Sequence, residues 1–134
     1  MAHIKQLTDE EMMERDLILF GDFDKTKYSG GIREFENIHA DVIKKLVSLG
    51  YADMQARYNN CPTLKAFIDF CERYPEFSLH GFAVSNDRDD CRIDIEGVYL
   101  GEPVDNGTQR LTEWNITFRR ADEKDCNTGW IWYD

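Results

Sequence analysis

The sequence predicts an α+β protein. N-terminal helices, three main ones and one short, pack on one face of a C-terminal four-stranded antiparallel sheet. Two observations carry this. Up to Pro75 the apolar residues recur at helical spacing, and beyond it they alternate with polar ones. The composition adds a third: 134 residues, 42% hydrophobic and 13% aromatic, suit a single domain over 1–134 with a core of its own. Such a chain buries about 68% of its extended surface without disulfides or a structural metal. Residues 1–75 form the mainly helical part and 76–134 the acidic sheet part. A winged-helix-like core with an added hairpin is the alternative architecture.

The elements follow in order. Thr8-Asp9-Glu10-Glu11 is a capping box, with Thr8 as N-cap and Glu11 at the third helical position. Met12, Met13, Leu17 and Phe20 follow at near-helical spacing, and Gly21 ends the helix. Residues 17–20 read equally as a short strand. Residues 21–31, rich in Gly, Asp, Lys and Ser, form a loop. A second helix over 32–49 carries the stripe Phe35, Ile38, Val42, Leu46 and Leu49. Asp41 and Lys45 make an i,i+4 pair on its outer side, and Gly50 supplies a left-handed cap. Asp53 caps a short helix through Tyr58, closed by Asn59-Asn60.

Thr63 caps a third main helix, on which Leu64, Phe67, Ile68 and Cys71 share a face before Pro75 stops it. Residues 78–85 and 91–99 read as strands of a hairpin around 86–90. Pairing Val84 with Ile93 and Phe82 with Ile95 gathers the apolar residues on one face. Arg92, Asp94 and Glu96 then lie on the other, whereas a shift by one would set Phe82 beside Asp94. After the turn residues Pro103 and Asn106-Gly107, Trp114, Ile116 and Phe118 alternate with Glu113, Asn115, Thr117 and Arg119 as a third strand. Residues 121–128 form a polar loop, and Trp130 to Tyr133 a short final strand.

Charge narrows the function. The chain carries 26 acidic and 16 basic residues, net −10, and 13 of the acids with 6 of the bases fall in residues 76–134. This surplus repels phosphate backbones and acidic membranes, and attracts a basic partner. The longest apolar run near the start, Leu17 to Phe20, is far too short to span a bilayer. Residues 1–5 lack the apolar stretch of a signal peptide. Cys61, Cys71, Cys91 and Cys126 form no C-x-x-C and read as reduced thiols of a cytoplasmic protein, Cys71 and Cys91 at buried positions. The sequons at Asn106 and Asn115 carry no meaning without secretion.

Few motifs carry chemistry. The order of helices and hairpin suits a winged helix-turn-helix with 63–74 as reader and 86–90 as wing. Its reader offers Lys65, Asp69, Glu72 and Arg73, net zero, and its wing Asp87, Arg88, Asp89 and Asp90, net −2. Asp22-x-Asp24-x-Thr26 opens like a calcium loop, then has Lys27 where glycine is needed and Arg33 where glutamate is needed. His39 and His80 both read as core histidines, His80 on the inner face of its strand. Gly30-Gly31 has the flexibility for an anion loop but stands among Asp22, Asp24 and Glu34. No cofactor, metal or catalytic motif emerges.

A surface remains. Asp87, Asp89 and Asp90 of the turn, with Arg92, Asp94, Glu96, Asn115, Thr117 and Arg119 of the outer sheet face, form the candidate interaction surface. Ile131 and Tyr133 join it if the two tryptophans turn inward. The leading expectation is a small acidic protein that binds a macromolecule, specifically a protein with a basic surface, as a regulator, adaptor or inhibitor. The alternatives are a winged-helix DNA-binding regulator, and a small-ligand binder or enzyme whose residues meet only in the fold.

Overall fold

The computed structural model describes residues 6–57, 60–105 and 107–134. The predicted end of a short helix at Tyr58-Asn59, the sequon at Asn106 and the stretch 1–5 lie outside these. The Thr8 hydroxyl accepts from the Glu11 N–H at 3.2 Å, and the Glu11 carboxylate accepts from the Thr8 N–H at 3.0 Å. That box starts α1 (Asp9–Phe20), which takes in residues 17–20, and Gly21 closes it at φ +79°. The buried face of α1 differs from the apolar stripe. Met13 and Leu17 are 43% and 50% exposed, while Arg15 and Asp16 are fully buried. Their charges are tolerated because each is bonded. Arg15 donates to Asp16 at 3.0 Å, to the Val84 carbonyl at 3.0 Å and to the Tyr28 oxygen at 3.1 Å, and the Tyr28 hydroxyl donates to Asp16 at 2.6 Å.

Within the 21–31 loop lies a single 3-10 turn, 25–27, capped by Asp24. The predicted helix over 32–49 is two elements: a strand, β1 (Ile32–Ile38), and a helix, α2 (Ala40–Ser48). Phe35, Ile38 and Val42 fit helical spacing by coincidence. Asn37, at φ +58°, takes a left-handed conformation that no helix interior admits. α2 buries Ala40, Ile43 and Leu46. Gly50, at φ +84°, ends it as expected: its N–H bonds the Val47 carbonyl, and the Tyr51 N–H bonds the Leu46 carbonyl. No Asp41–Lys45 ion pair is found among the described residues; Lys44 instead reaches Glu72 of the next helix at 2.7 Å. Asp53 makes only a turn, accepting from the Gln55 N–H at 2.9 Å. α3 (Leu64–Arg73) starts at Thr63, whose hydroxyl accepts from the Ala66 N–H, and buries the four predicted residues and Phe70.

β2 (Ser78–Val84) and β3 (Ile93–Tyr99) form the predicted hairpin, and β1 joins it to give an antiparallel sheet ordered β1-β2-β3. The register changes partway. Leu79 pairs with Val98 and His80 with Gly97, but Gly81 pairs with Ile95, Phe82 with Asp94 and Ala83 with Ile93. Glu96 is the extra residue of a bulge. The pairing of Val84 with Ile93 and Phe82 with Ile95 is thus displaced by one. The contact of Phe82 with Asp94 is tolerable because Arg92 lies over the Phe82 ring at 5.7 Å and bonds Asp94 at 3.4 Å.

The predicted strand through Trp114 is a helix, α4 (Gln109–Thr117), capped by the Thr108 hydroxyl on the Leu111 N–H. Trp114 and Phe118 are buried and Leu111 packs beside them, while Ile116 is 59% exposed, so the helical period wins. Two short strands, β4 (Glu123–Asp125) and β5 (Trp130–Trp132), make a separate two-stranded sheet. The four-stranded sheet is therefore a three-stranded and a two-stranded one. Phe35, Leu79, Ala83, Ile93, Ile95 and Val98 share one core cluster with residues of α2, α3 and α4, on one face of the main sheet. No helix among the described residues is long and apolar enough to cross a membrane.

Candidate functional site

Strand alternation puts Glu34 and Glu36 of β1, His80 and Phe82 of β2, and Asp94 of β3 on the face turned away from the helices. The bulge turns Glu96 to the same side. Its carbonyl is freed from the ladder and accepts from the Tyr133 N–H at 2.8 Å, which holds β5 against the edge of β3. Gly97 makes this approach possible: a Cβ there would stand 1.7 Å from the Ile131 carbonyl oxygen. That oxygen accepts from His80 Nε2 at 2.7 Å, so Nε2 carries the proton.

With β5 docked, its alternate residues divide. Ile131 and Tyr133 point into the core, and Tyr133 meets Phe67 edge-on with centroids 6.1 Å apart. Trp130 and Trp132 face outward, which reverses the arrangement that would have put Ile131 and Tyr133 on the surface. Trp130 stacks on His80 at 4.1 Å with the rings 6° from parallel, and its indole N–H donates to Glu123 at 3.1 Å. The Trp132 side chain lies near enough to the Glu96 carboxylate to favour its charged form.

Between these walls lies a groove of about 450 Å³ lined by Glu34, Phe35, Glu36, His80, Gly81, Glu96, Trp130 and Trp132. A second hollow of about 270 Å³, with Asn37, Ser78 and Tyr99, continues it past Trp130. No lysine or arginine among the described residues lines either. Glu34, Glu36 and Glu96 make no ion pair among the described residues. Burial raises the Glu96 carboxyl above its ordinary pKa, and the charges of Asp94, Glu34 and Asp134 add to the rise. Burial likewise raises Asp94, against the pull of Arg92. Burial lowers the His80 imidazole, outweighing the Ile131 carbonyl and Glu36, which favours the neutral ring.

The surface drawn from the sequence is not brought together. Of its members only Glu96 lines the groove. Asp94 is 6% exposed and held by Arg92, which also bonds Asp90 at 2.9 Å. Asp87 accepts from Ser85 and Lys25 beside the N-terminal segment, and Asp89 stays in solvent. Asn115, Thr117 and Arg119 belong to α4 and the turn after it, not to the sheet; Asn115 accepts from Lys124. Tyr133 is 2% exposed. His80 lies on the outer sheet face rather than the inner one, and His39 is exposed at the start of α2. Asp22 and Asp24 of the calcium-like loop are engaged by Lys27, Arg33 and Thr26.

Glu34, Glu36, His80, Trp130 and Trp132 were missed as a set. The polar alternation in Ile32-Arg33-Glu34-Phe35-Glu36 was the available signal. The cavity beside Arg15 and Cys91, about 40 Å³, is too small for an organic ligand. The fold and the groove define an α+β protein with an acidic, tryptophan-walled groove on its sheet. The chain matches no protein-family model, no curated protein and no solved structure, so its functional reading rests on this geometry.

Proposed function

We propose that the protein acts by binding a basic segment of a protein partner, with the tryptophan-walled groove as the contact surface. The observation that carries this is the convergence of Glu34, Glu36 and Glu96, three carboxylates that make no ion pair among the described residues, on Trp130 and Trp132. Indole faces attract cations through the ring quadrupole, and the carboxylates supply the countercharge. Stacking on His80 and the bond to Glu123 hold the Trp130 ring in place, so little ordering entropy is left for it to lose on binding.

The DNA-binding alternative has less support. Lys65 and Arg73 of α3 are engaged by Asp69 and Glu113, and Arg88 of the 86–90 loop is engaged by Asp90, so neither the reader nor the wing presents a free positive strip among the described residues. The enzyme alternative would need His80 as a base, yet Nε2 is committed to the Ile131 carbonyl and one ring face to Trp130.

The test uses synthetic peptides of equal length and graded net charge, titrated against tryptophan fluorescence at low and moderate salt. Affinity should rise with Lys and Arg content and weaken with salt. The double variant Glu34→Gln/Glu36→Gln should lose this binding while keeping its near-UV circular dichroism. Peptide binding that the double variant leaves intact refutes the proposal.

A further inference from the structure

The chain has nine arginines. Six of them, Arg15, Arg33, Arg73, Arg88, Arg92 and Arg110, bond carboxylates within the fold. The other three, Arg57, Arg119 and Arg120, make no ion pair among the described residues, and all three line one cleft of about 180 Å³. That cleft lies between the turn after α4 and the segment leading into α3, apart from the tryptophan groove. In a chain of net −10, three arginines that line one cleft and bond no carboxylate among the described residues call for an outside countercharge.

We propose that this cleft is a binding site for a compact phosphate-class dianion. Guanidinium forks match phosphate oxygens in pairs, and three of them around one hollow cover one tetrahedral anion from several sides. Asn60 and Thr117 also line the cleft and bring further hydrogen-bonding groups to it. Its size and the molecule's surplus negative charge favour a single phosphate group over an extended polyanion, which the acidic remainder of the surface would repel. Asp94, Glu96 and Asp122 are near enough to act on the Cys61 thiol at the cleft wall, where Arg57 opposes them. None of the three lines the cleft, so the arginines set the charge at its mouth.

The experiment is isothermal titration of the whole chain with inorganic phosphate, and separately with blocked O-phosphoserine, at constant ionic strength. Saturable binding of both assigns a site for the phosphate group itself. Binding of phosphoserine alone assigns it to a phosphorylated side chain, and binding of inorganic phosphate alone to the free ion. Arg119→Gln and Arg57→Gln should each weaken the binding about five- to tenfold, the usual scale of one charge-assisted bond at a partly open site. Lys45→Gln, which removes an exposed cation on α2, should leave it unchanged. A titration that never saturates, or an equal loss in Lys45→Gln, overturns the proposal. Circular dichroism of each variant separates lost binding from lost fold.

Discussion

Replacing Gly97 by alanine tests how β5 is held against the sheet and the groove is built. The new Cβ would lie 1.7 Å from the Ile131 oxygen, 2.6 Å from its carbonyl carbon and 2.7 Å from His80 Nε2. Backbone cannot yield by that much while β5 stays docked, so the strand must move. Its displacement breaks the bond from His80 to Ile131 at 2.7 Å and strains the one from Tyr133 to Glu96 at 2.8 Å. Each buried bond contributes about 0.5–1.5 kcal/mol, and overpacking adds roughly 1–3 kcal/mol. The expected loss is about 3–5 kcal/mol, a large part of a typical domain's stability. Gly107→Ala is the control. Gly107 has φ +69° and nothing within 4 Å of its Cβ position, so only conformational strain of roughly 1–2 kcal/mol applies. Urea unfolding gives both values, and near-UV circular dichroism reports the His80–Trp130 stack. If Gly97→Ala costs no more than Gly107→Ala and keeps the near-UV signal, β5 is not held as described.

Glu96→Gln should leave the protein at least as stable at neutral pH, while weakening cationic-peptide binding. Burial and the neighbouring Asp94, Glu34 and Asp134 raise the Glu96 pKa on folding, so its protonation favours the fold at low pH and that advantage fades as pH rises through the raised value. The variant should accordingly show a flatter stability profile just above the ordinary carboxylate range in urea melts at several pH values, and a loss beyond about 1 kcal/mol at pH 7 would contradict this account. Thiol titration of the native protein should find Cys126 reacting at once and Cys61, Cys71 and Cys91 only on unfolding. The first is exposed and the others buried, with burial pushing the Cys61 and Cys71 thiols up to about 12. Fewer than four thiols in freshly denatured, unreduced protein would mean that disulfides form.

Elements whose signals are local were legible. The Thr8 box, the Thr63 cap, Pro75 and Gly50 act within a few residues of themselves, and α1, α3 and the end of α2 fall where those residues dictate. Two segments carried both periods at once. Residues 32–38 have apolar spacing that continues into α2, and only pairing with β2, far along the chain, selects the strand. Residues 114–118 alternate as a strand would, yet Leu111, Trp114 and Phe118 also share a helical face, and the Thr108 cap decides for the helix. The buried Arg15–Asp16 pair escaped because an apolar stripe is sought among apolar residues. Its partners, Tyr28 and the Val84 carbonyl, come from distant parts of the chain.

The bulge at Glu96 joins the register error to the missed site. The pairing argued from polarity is the one observed between residues 78–80 and 97–99, and it fails only beyond the bulge. Polarity judges pairs one at a time, whereas a bulge belongs to two strands together. Gly81 and Gly97 on either side of it were the trace it left in the sequence. At Gly81 a Cβ would meet the Asp94 carbonyl oxygen at 2.0 Å, and at Gly97 the Ile131 oxygen. With His80 turned outward, pairing continued past Gly97 without the bulge would set Glu96 opposite Gly81, on the helix side of the sheet. The extra residue instead turns the carboxylate out among the indoles and frees its carbonyl for Tyr133. The irregularity that shifts the hairpin by one position therefore also docks β5 and completes the groove.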